Sequence, residues 1–284
     1  MEGDQRIARD RLPVCKGLKI GNDSFRGARP HQSITIQLEN AALREVFAVL
    51  ASDLMGTGAC EVSARAGLDR CLDRLSMWQG LLEQLPDTGL GLPAQRGLLG
   101  ELLVLQGLHL AVLDPLAAVT SWNGPGRAYQ DFTTGGVGVE VKTSLGKRHA
   151  HLRVTSERQL DETPFDDLFL AHVGLVESAS GLSLADQVAA VRERLGQAHA
   201  ALSEFNLRLL AAGYLDSHEE SYRESAYLTE RMDFYRVDGD FPRLTGALLP
   251  PGVGDVTYTI IADDLARFGA EFERVATAVG AAHG

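Results

Sequence analysis

The stretch DFTTGGVGVEVKTS, residues 131–144, brings together an Asp, a Gly-Gly pair, and a Glu and a Lys separated by one Val. Gly135-Gly136 lies between two alternating runs and reads as a two-residue hairpin turn, whose central positions favour positive φ. That turn sets a register: Thr134 opposite Val137, Thr133 opposite Gly138, Phe132 opposite Val139 and Asp131 opposite Glu140. Directly opposed residues carry Cβ atoms roughly 4.5–5.5 Å apart, and the two-residue repeat of a strand puts Lys142 on the face of Glu140. Phe132, Val137, Val139 and Val141 form the other, core-facing side, and Gly138 leaves room beside the charges. Two carboxylates so placed repel and destabilise a sheet unless something compensates. A divalent cation would do so, because Mg²⁺ is held by one or two carboxylates with water and substrate phosphate. Lys142 would then serve an attacking water or the charge of that phosphate. The competing reading is a surface hairpin whose Glu140–Lys142 ion pair is worth about 0–1 kcal/mol.

A second carboxylate anomaly lies upstream. Pro93 opens the helical run AQRGLLGELLVLQGLHLAV, apolar on nearly every side and therefore expected at the centre of the fold. Glu101 within it is costly to bury unless paired or metal-bound; Arg96 is a local candidate for the pairing.

Composition bounds the rest. With 284 residues, 45% hydrophobic and 23% charged, the chain is long enough for a substantial core and has no disordered-type tract. Cys15, Cys60 and Cys71 are far apart, with no CxxC, which fits neither a disulfide framework nor a common zinc site and favours a reducing cytoplasm. The N-terminal MEGDQRIARDRLPV has no apolar segment of a secretory signal, and the longest apolar region, 97–119, is interrupted by Glu101, Gln106, His109 and Asp114, too polar for a membrane span. A net charge of −11 argues against indiscriminate nucleic-acid binding. The distribution is uneven: residues 142–158 carry five basic side chains and one acid, residues 216–240 eight acids and three basic.

Along the chain, LKIG (18–21) and SITIQL (33–38) suggest a small N-terminal sheet. Helices are expected over 41–55, with Leu43, Val46, Phe47 and Leu50 at helical spacing, and over 61–85, with Leu68, Leu72, Leu75 and Leu82 in the core. After Pro115 come β-rich runs: VTSW (119–122), YQDFTT (129–134), VGVEVKTS (137–144), HLRVTS (151–156) and DLFLAHVGLV (167–176). A long helix over 183–212, bent at Gly196, precedes strands MDFYRV (232–237) and VTYTII (256–261) and a last helix over 262–280. The acidic 216–224 reads as a loop.

Glu101 on a helix, Asp131, and Glu140-Val141-Lys142 together resemble the PD-(D/E)XK nuclease superfamily. More closely, QRGLLGELLVL (95–105), SWNGPGRAYQDF (121–132), VEVKTS (139–144) and SERQL (156–160), with KIGND (19–23), resemble an uncharacterised bacterial family grouped with it. The resemblance implies an α/β (α+β) core of helix, three antiparallel strands, helix and strand over 91–180. A small sheet with helices would occupy 1–90, and a helical and β extension 181–284. It implies a Mg²⁺-dependent DNA endonuclease, with Mn²⁺ as substitute, in bacterial restriction or anti-phage defence beside methyltransferase or ATPase partners. In it Asp131, Glu140 and Glu101 bind the metal and Lys142 assists the nucleophilic water. Gln159 either contacts substrate or water, or closes a capping box with Ser156.

Lys147, Arg148 and Arg153 are candidate phosphate contacts, with a solvated hairpin tip as the alternative. His149 and His151 lack an evident third metal ligand. Two further possibilities stay open: a catalytically silent subunit that binds DNA or a protein through the same fold, and an interaction protein whose acidic surface meets a basic partner.

Overall fold

The computed structural model describes residues 12–25, 31–58, 64–84, 89–124, 128–146 and 150–283. The chain divides into two compact units, residues 1–89 with 213–217 and residues 90–212 with 218–284. No helix among the described residues is long and apolar enough to cross a membrane.

In the first unit β1 (Leu18–Phe25) and β2 (His31–Leu38) pair antiparallel from Leu18↔Leu38 to Phe25↔His31, the expected small sheet. Helices α1 (Arg44–Gly58) and α2 (Ala64–Gln84) bury Val46, Leu50, Leu72, Leu75, Trp78 and Leu82. Asp53 on α1 joins them, accepting from Arg74 Nε (2.6 Å) and Nη2 (2.8 Å) and from Trp78 Nε1 (2.8 Å). Cys15 and Cys71 are free thiols; Cys60 lies outside the described residues.

The second unit is built on a mixed sheet ordered β3-β4-β6-β7-β9. Its strands are β3 (Phe132–Thr134), β4 (Val137–Leu145), β6 (Asp167–Ser183), β7 (Ala226–Arg236) and β9 (Gly269–Ala270), and β5 (His151–Val154) pairs separately with β8 (Tyr258–Ile261). The hairpin register is Phe132↔Val139, Thr133↔Gly138 and Thr134↔Val137, as the Gly-Gly turn dictates. Only Gly135 has a positive φ, +53°. At Gly136 a Cβ would sit 2.1 Å from Oδ2 of the exposed Asp166, whose carboxylate would have to swing aside.

Two expectations for the core arrangement are corrected. VTSW is not a strand: 115–121 is helix α5 (Pro115–Ser121), because Asp114 caps it, accepting from Leu116 N and Ala117 N, and Pro115 presets its first turn. Only Trp122 bridges to Phe132. The further strand of the expected core, β6, pairs parallel with β4, Glu140↔Leu170 and Lys142↔His172, across a connection that holds a turn at 157–160. The charged face of β4 is not open either. It shares its side of the sheet with Leu168 and Leu170, which pack with Leu152, Val154, Ile260 and Phe268. The space left by Gly138 is taken by Phe165 and Leu168.

The opposite face carries α3 (Leu92–Val104), which continues through a π-helical turn Leu105–His109 into α4 (Leu110–Val112). The long C-terminal helix is two, α6 (Leu184–Leu195) and α7 (His199–Ala211), broken at Gly196 with φ +46°. The acidic segment expected as a loop contains α8 (Glu219–Arg223), and the last helix is shortened to α9 (Phe272–Ala281) after a 3₁₀ stretch Ala262–Phe268 and β9.

Close packing of α3 on β4 depends on Gly100, where a Cβ would stand 2.2 Å from Thr143 Cγ2 and 3.6 Å from Val141 Cγ1. Elsewhere in a helix Gly→Ala gains about 1 kcal/mol. Gly100→Ala is instead expected to destabilise by about 1–3 kcal/mol, since a β-branched neighbour must be displaced; chemical denaturation measures it.

Candidate active site

Four side chains converge where α3 crosses the start of the hairpin. Glu140, on β4, is completely buried, and Lys142, two residues on, turns back to it with Nζ 2.5 Å from Oε1. Glu101, half-buried on α3, accepts a hydrogen bond from Trp122 Nε1 at 2.8 Å. Among the described residues it has no ion pair with Arg96. Asp131 is half-buried at a bend, its Oδ2 accepting the Val141 N–H at 2.6 Å.

Asp131 is therefore not the direct cross-strand partner of Glu140. The ladder ends at Phe132↔Val139, because Trp122 takes the bridge to Phe132 and Asn123 N donates to Asp131 O at 2.8 Å, drawing residue 131 off the strand. The carboxylate reaches the same place by folding back along β4.

The charges of these groups act on one another. Burial, reinforced by the Asp131 charge, pushes the Glu101 carboxyl up to about 8, against the Trp122 hydrogen bond and the Lys142 charge. Burial pushes Asp131 up to about 6, opposed by the Lys142 charge and the Val141 hydrogen bond. Glu140 is held well above the usual carboxylate range, by burial first and then Asp131, with Lys142 opposing and Glu101 adding to the rise. Three carboxyls so close cannot all ionise cheaply, so the cluster retains protons near neutrality.

Gln159 joins this group to the turn that follows β5. Its Oε1 accepts from Lys142 Nζ (3.3 Å), Thr155 N (2.8 Å) and Thr155 Oγ1 (3.2 Å). The expected capping box is displaced by one residue: Gln159 reaches back to Thr155, and Ser156 Oγ accepts from Arg158 N. Gln130 secures the same turn, its Nε2 donating to Arg158 O and Gln159 O. Across from Glu140 stands Tyr258, within reach of the charges of Glu140 and Arg243.

The donor set fits a cation. Both Glu140 oxygens are buried and neither receives a well-directed hydrogen bond, the Lys142 contact being one of charge on charge. Lys142 meets one of these oxygens; when the three carboxyls ionise, further positive charge would offset their repulsion. No group of three His, Cys, Asp or Glu among the described residues is spaced to hold a metal ion. A cation here would rest on two protein carboxylates, with water and substrate oxygens completing its shell, as Mg²⁺ commonly does.

The family model described as "Putative PD-(D/E)XK family member, (DUF4420)" matches residues 6–263. The chain belongs to this family. No curated protein and no solved structure matched it. The PD-(D/E)XK superfamily includes nucleases in general, and the mixed sheet with helices against it is consistent with an α+β nuclease-like fold.

Other expected site residues of this PD-(D/E)XK chain are placed differently. Lys147, Arg148 and His149 lie outside the described residues. Arg153 is exposed on β5, opposite Thr259, pointing away from the core that Leu152 and Val154 enter. Trp122 and Gln130 were missed by sequence reasoning. A Trp two residues before a Gly-x-Gly loop carries no charge signal, and only its buried indole N–H, which must find an acceptor, could have pointed to Glu101.

Proposed function

We propose that this PD-(D/E)XK protein is a Mg²⁺-dependent endonuclease that hydrolyses DNA phosphodiesters by attack of water, with Mn²⁺ able to substitute. The observation that carries this reading is Glu140: fully buried, both oxygens without a directed donor, beside Asp131, Glu101 and an ammonium.

Glu140 and Asp131 would hold the metal; bound there, it would acidify a water and offset charge on the phosphate. Asp131 is held in place by the Val141 N–H. Glu101, fixed by Trp122, would orient a water beside the metal through its carboxyl. Lys142, held by Glu140 and Gln159, supplies a fixed positive charge for the attacking water or the phosphate oxygens. Gln159 acts through Lys142 as a positioning residue. The proposed setting is bacterial restriction or anti-phage defence, with a methyltransferase or ATPase partner. A net charge of −11 suits a protein that gains part of its DNA affinity from a partner.

A catalytically silent, DNA-binding or partner-binding subunit is the second reading, favoured by the absence of a three-residue metal cluster among the described residues. Incubation with supercoiled plasmid in Mg²⁺, Mn²⁺ or EDTA, alone and with neighbouring gene products, separates the two. The expected result is cleavage in either metal and none in EDTA. DNA binding without cleavage under every condition would establish the silent reading instead.

A further inference from the structure

Beyond Lys142, where β4 runs out, the second unit has a cavity of about 400 Å³ between the first turn of α3 and the end of the strand. Arg96, Thr143, Ser144 and His151 supply its polar lining, and no carboxylate contributes. In a chain with eleven more acidic than basic side chains that is a selective composition. Among the described residues Arg96 has no ion-pair or hydrogen-bond partner, although it is only half-exposed. The first turn of α3 adds the positive end of a 13-residue helix, whose N-cap Gly91 brings no side-chain acceptor.

Ser144 has a defined role here. Its Oγ lies 2.8 Å from Nε2 of His172, which is completely buried and whose Nδ1 has no partner. An orphaned N–H costs more than an orphaned acceptor nitrogen, so the proton belongs on Nε2. Ser144 then accepts from His172 on the Lys142 side of the strand, which leaves Thr143 as the hydroxyl on the α3 side.

We propose that this cavity binds a backbone phosphate of the nucleic acid strand next to the one at Glu140 and Lys142. The inference rests on the nuclease reading for the position of the scissile phosphate, and its spacing follows from the two elements separately. Ser144 is two strand residues past Lys142, a step of about 7 Å; Arg96 is five helical residues before Glu101, about 7.5 Å. Both steps run in the same direction, because Gly100 packs at Val141 and Thr143 and Arg96 lies beyond it. That step is close to the through-space separation of neighbouring phosphates on one strand. Arg96 provides the bidentate charge, with the hydroxyl of Thr143 as a neutral donor.

The test is binding, not cleavage. Fluorescence anisotropy with a labelled 20-base-pair duplex in EDTA, over a series of salt concentrations, reads the wild type, Arg96→Ala, Arg96→Lys and Thr143→Val, each first checked by thermal melting. Arg96→Ala is expected to weaken binding about 5- to 10-fold at low salt and to reduce the magnitude of the log–log salt slope by about 1. Arg96→Lys should restore the slope, which a purely structural arginine would not. Affinity and slope unchanged in both Arg96→Ala and Thr143→Val would overturn the proposal, as would a wild type that does not bind the duplex. Because no metal is present, a protein that binds through Arg96 but never cleaves would sustain the pocket while refuting the nuclease reading.

Discussion

Lys142→Ala is expected to lower metal-dependent DNA cleavage by about 10²–10³-fold while leaving divalent-cation binding intact or tighter. The size is that of removing one fixed donor or charge aimed at the reacting group. The direction of the binding change follows from what Lys142 does to its neighbours: its charge is the main force holding down the carboxyls of Asp131 and Glu140 against burial. Without it both carboxyls bind protons more firmly, but a cation no longer has to approach a fixed positive charge 2.5 Å from Glu140. Breaking a buried ion pair by removing one partner costs about 3–5 kcal/mol when the remaining charge is stranded. Here that figure is a ceiling, because Glu140 can take up a proton. Plasmid cleavage, Mn²⁺ titration and a thermal melt on one preparation distinguish the cases. Cleavage that survives in a folded Lys142→Ala protein would end the assigned role, and loss of cation binding with it would make Lys142 a structural counter-ion.

The hairpin was legible because its determinants are local: a Gly-Gly turn and strict alternation set three ladder pairs correctly. The last pair failed because a non-local partner intervened. Trp122 bridges Phe132 and Asn123 holds Asp131 O, and neither contact has a trace in DFTTGG. The strand assigned to 119–122 was a weighting error, since Asp114-Pro115 is a cap and first turn that outweighs four β-prone residues. Glu101 was recognisable as a carboxylate in an apolar helix. Its approach to Asp131 and Lys142 depends on α3 lying flat on β4, which Gly100 permits and no periodicity encodes. Parallel pairing of β4 with β6, which puts Glu140 under a second layer and strips it of water, is a property of topology alone.

That burial also gives a stability effect of the opposite sign. Glu140→Gln is predicted to abolish metal-dependent cleavage, by at least about 10²-fold, and to raise the stability of the metal-free protein by about 1–3 kcal/mol at pH 8. The amide has the same shape without the charge, and Lys142 keeps Gln159 Oε1 at 3.3 Å and the charge of Asp131. The sign depends on pH. In the wild type Glu140 is held well above its ordinary value in the folded state, Glu101 is raised to about 8 and Asp131 to about 6. The folded protein therefore binds more protons than the unfolded chain. The stability these groups contribute is complete below about pH 4, where both states are protonated, and is lost as pH rises through the folded values. Urea unfolding in EDTA should show wild-type stability falling from pH 5 to 8.5, and Glu140→Gln falling less, with the two converging near pH 5. Millimolar Mg²⁺ or Ca²⁺ should restore the wild type at high pH by binding only the folded state and leave Glu140→Gln unmoved. A variant less stable than wild type at pH 8 in EDTA would mean that the Glu140–Lys142 pair stabilises the metal-free fold, and that Lys142 alone accounts for the buried glutamate.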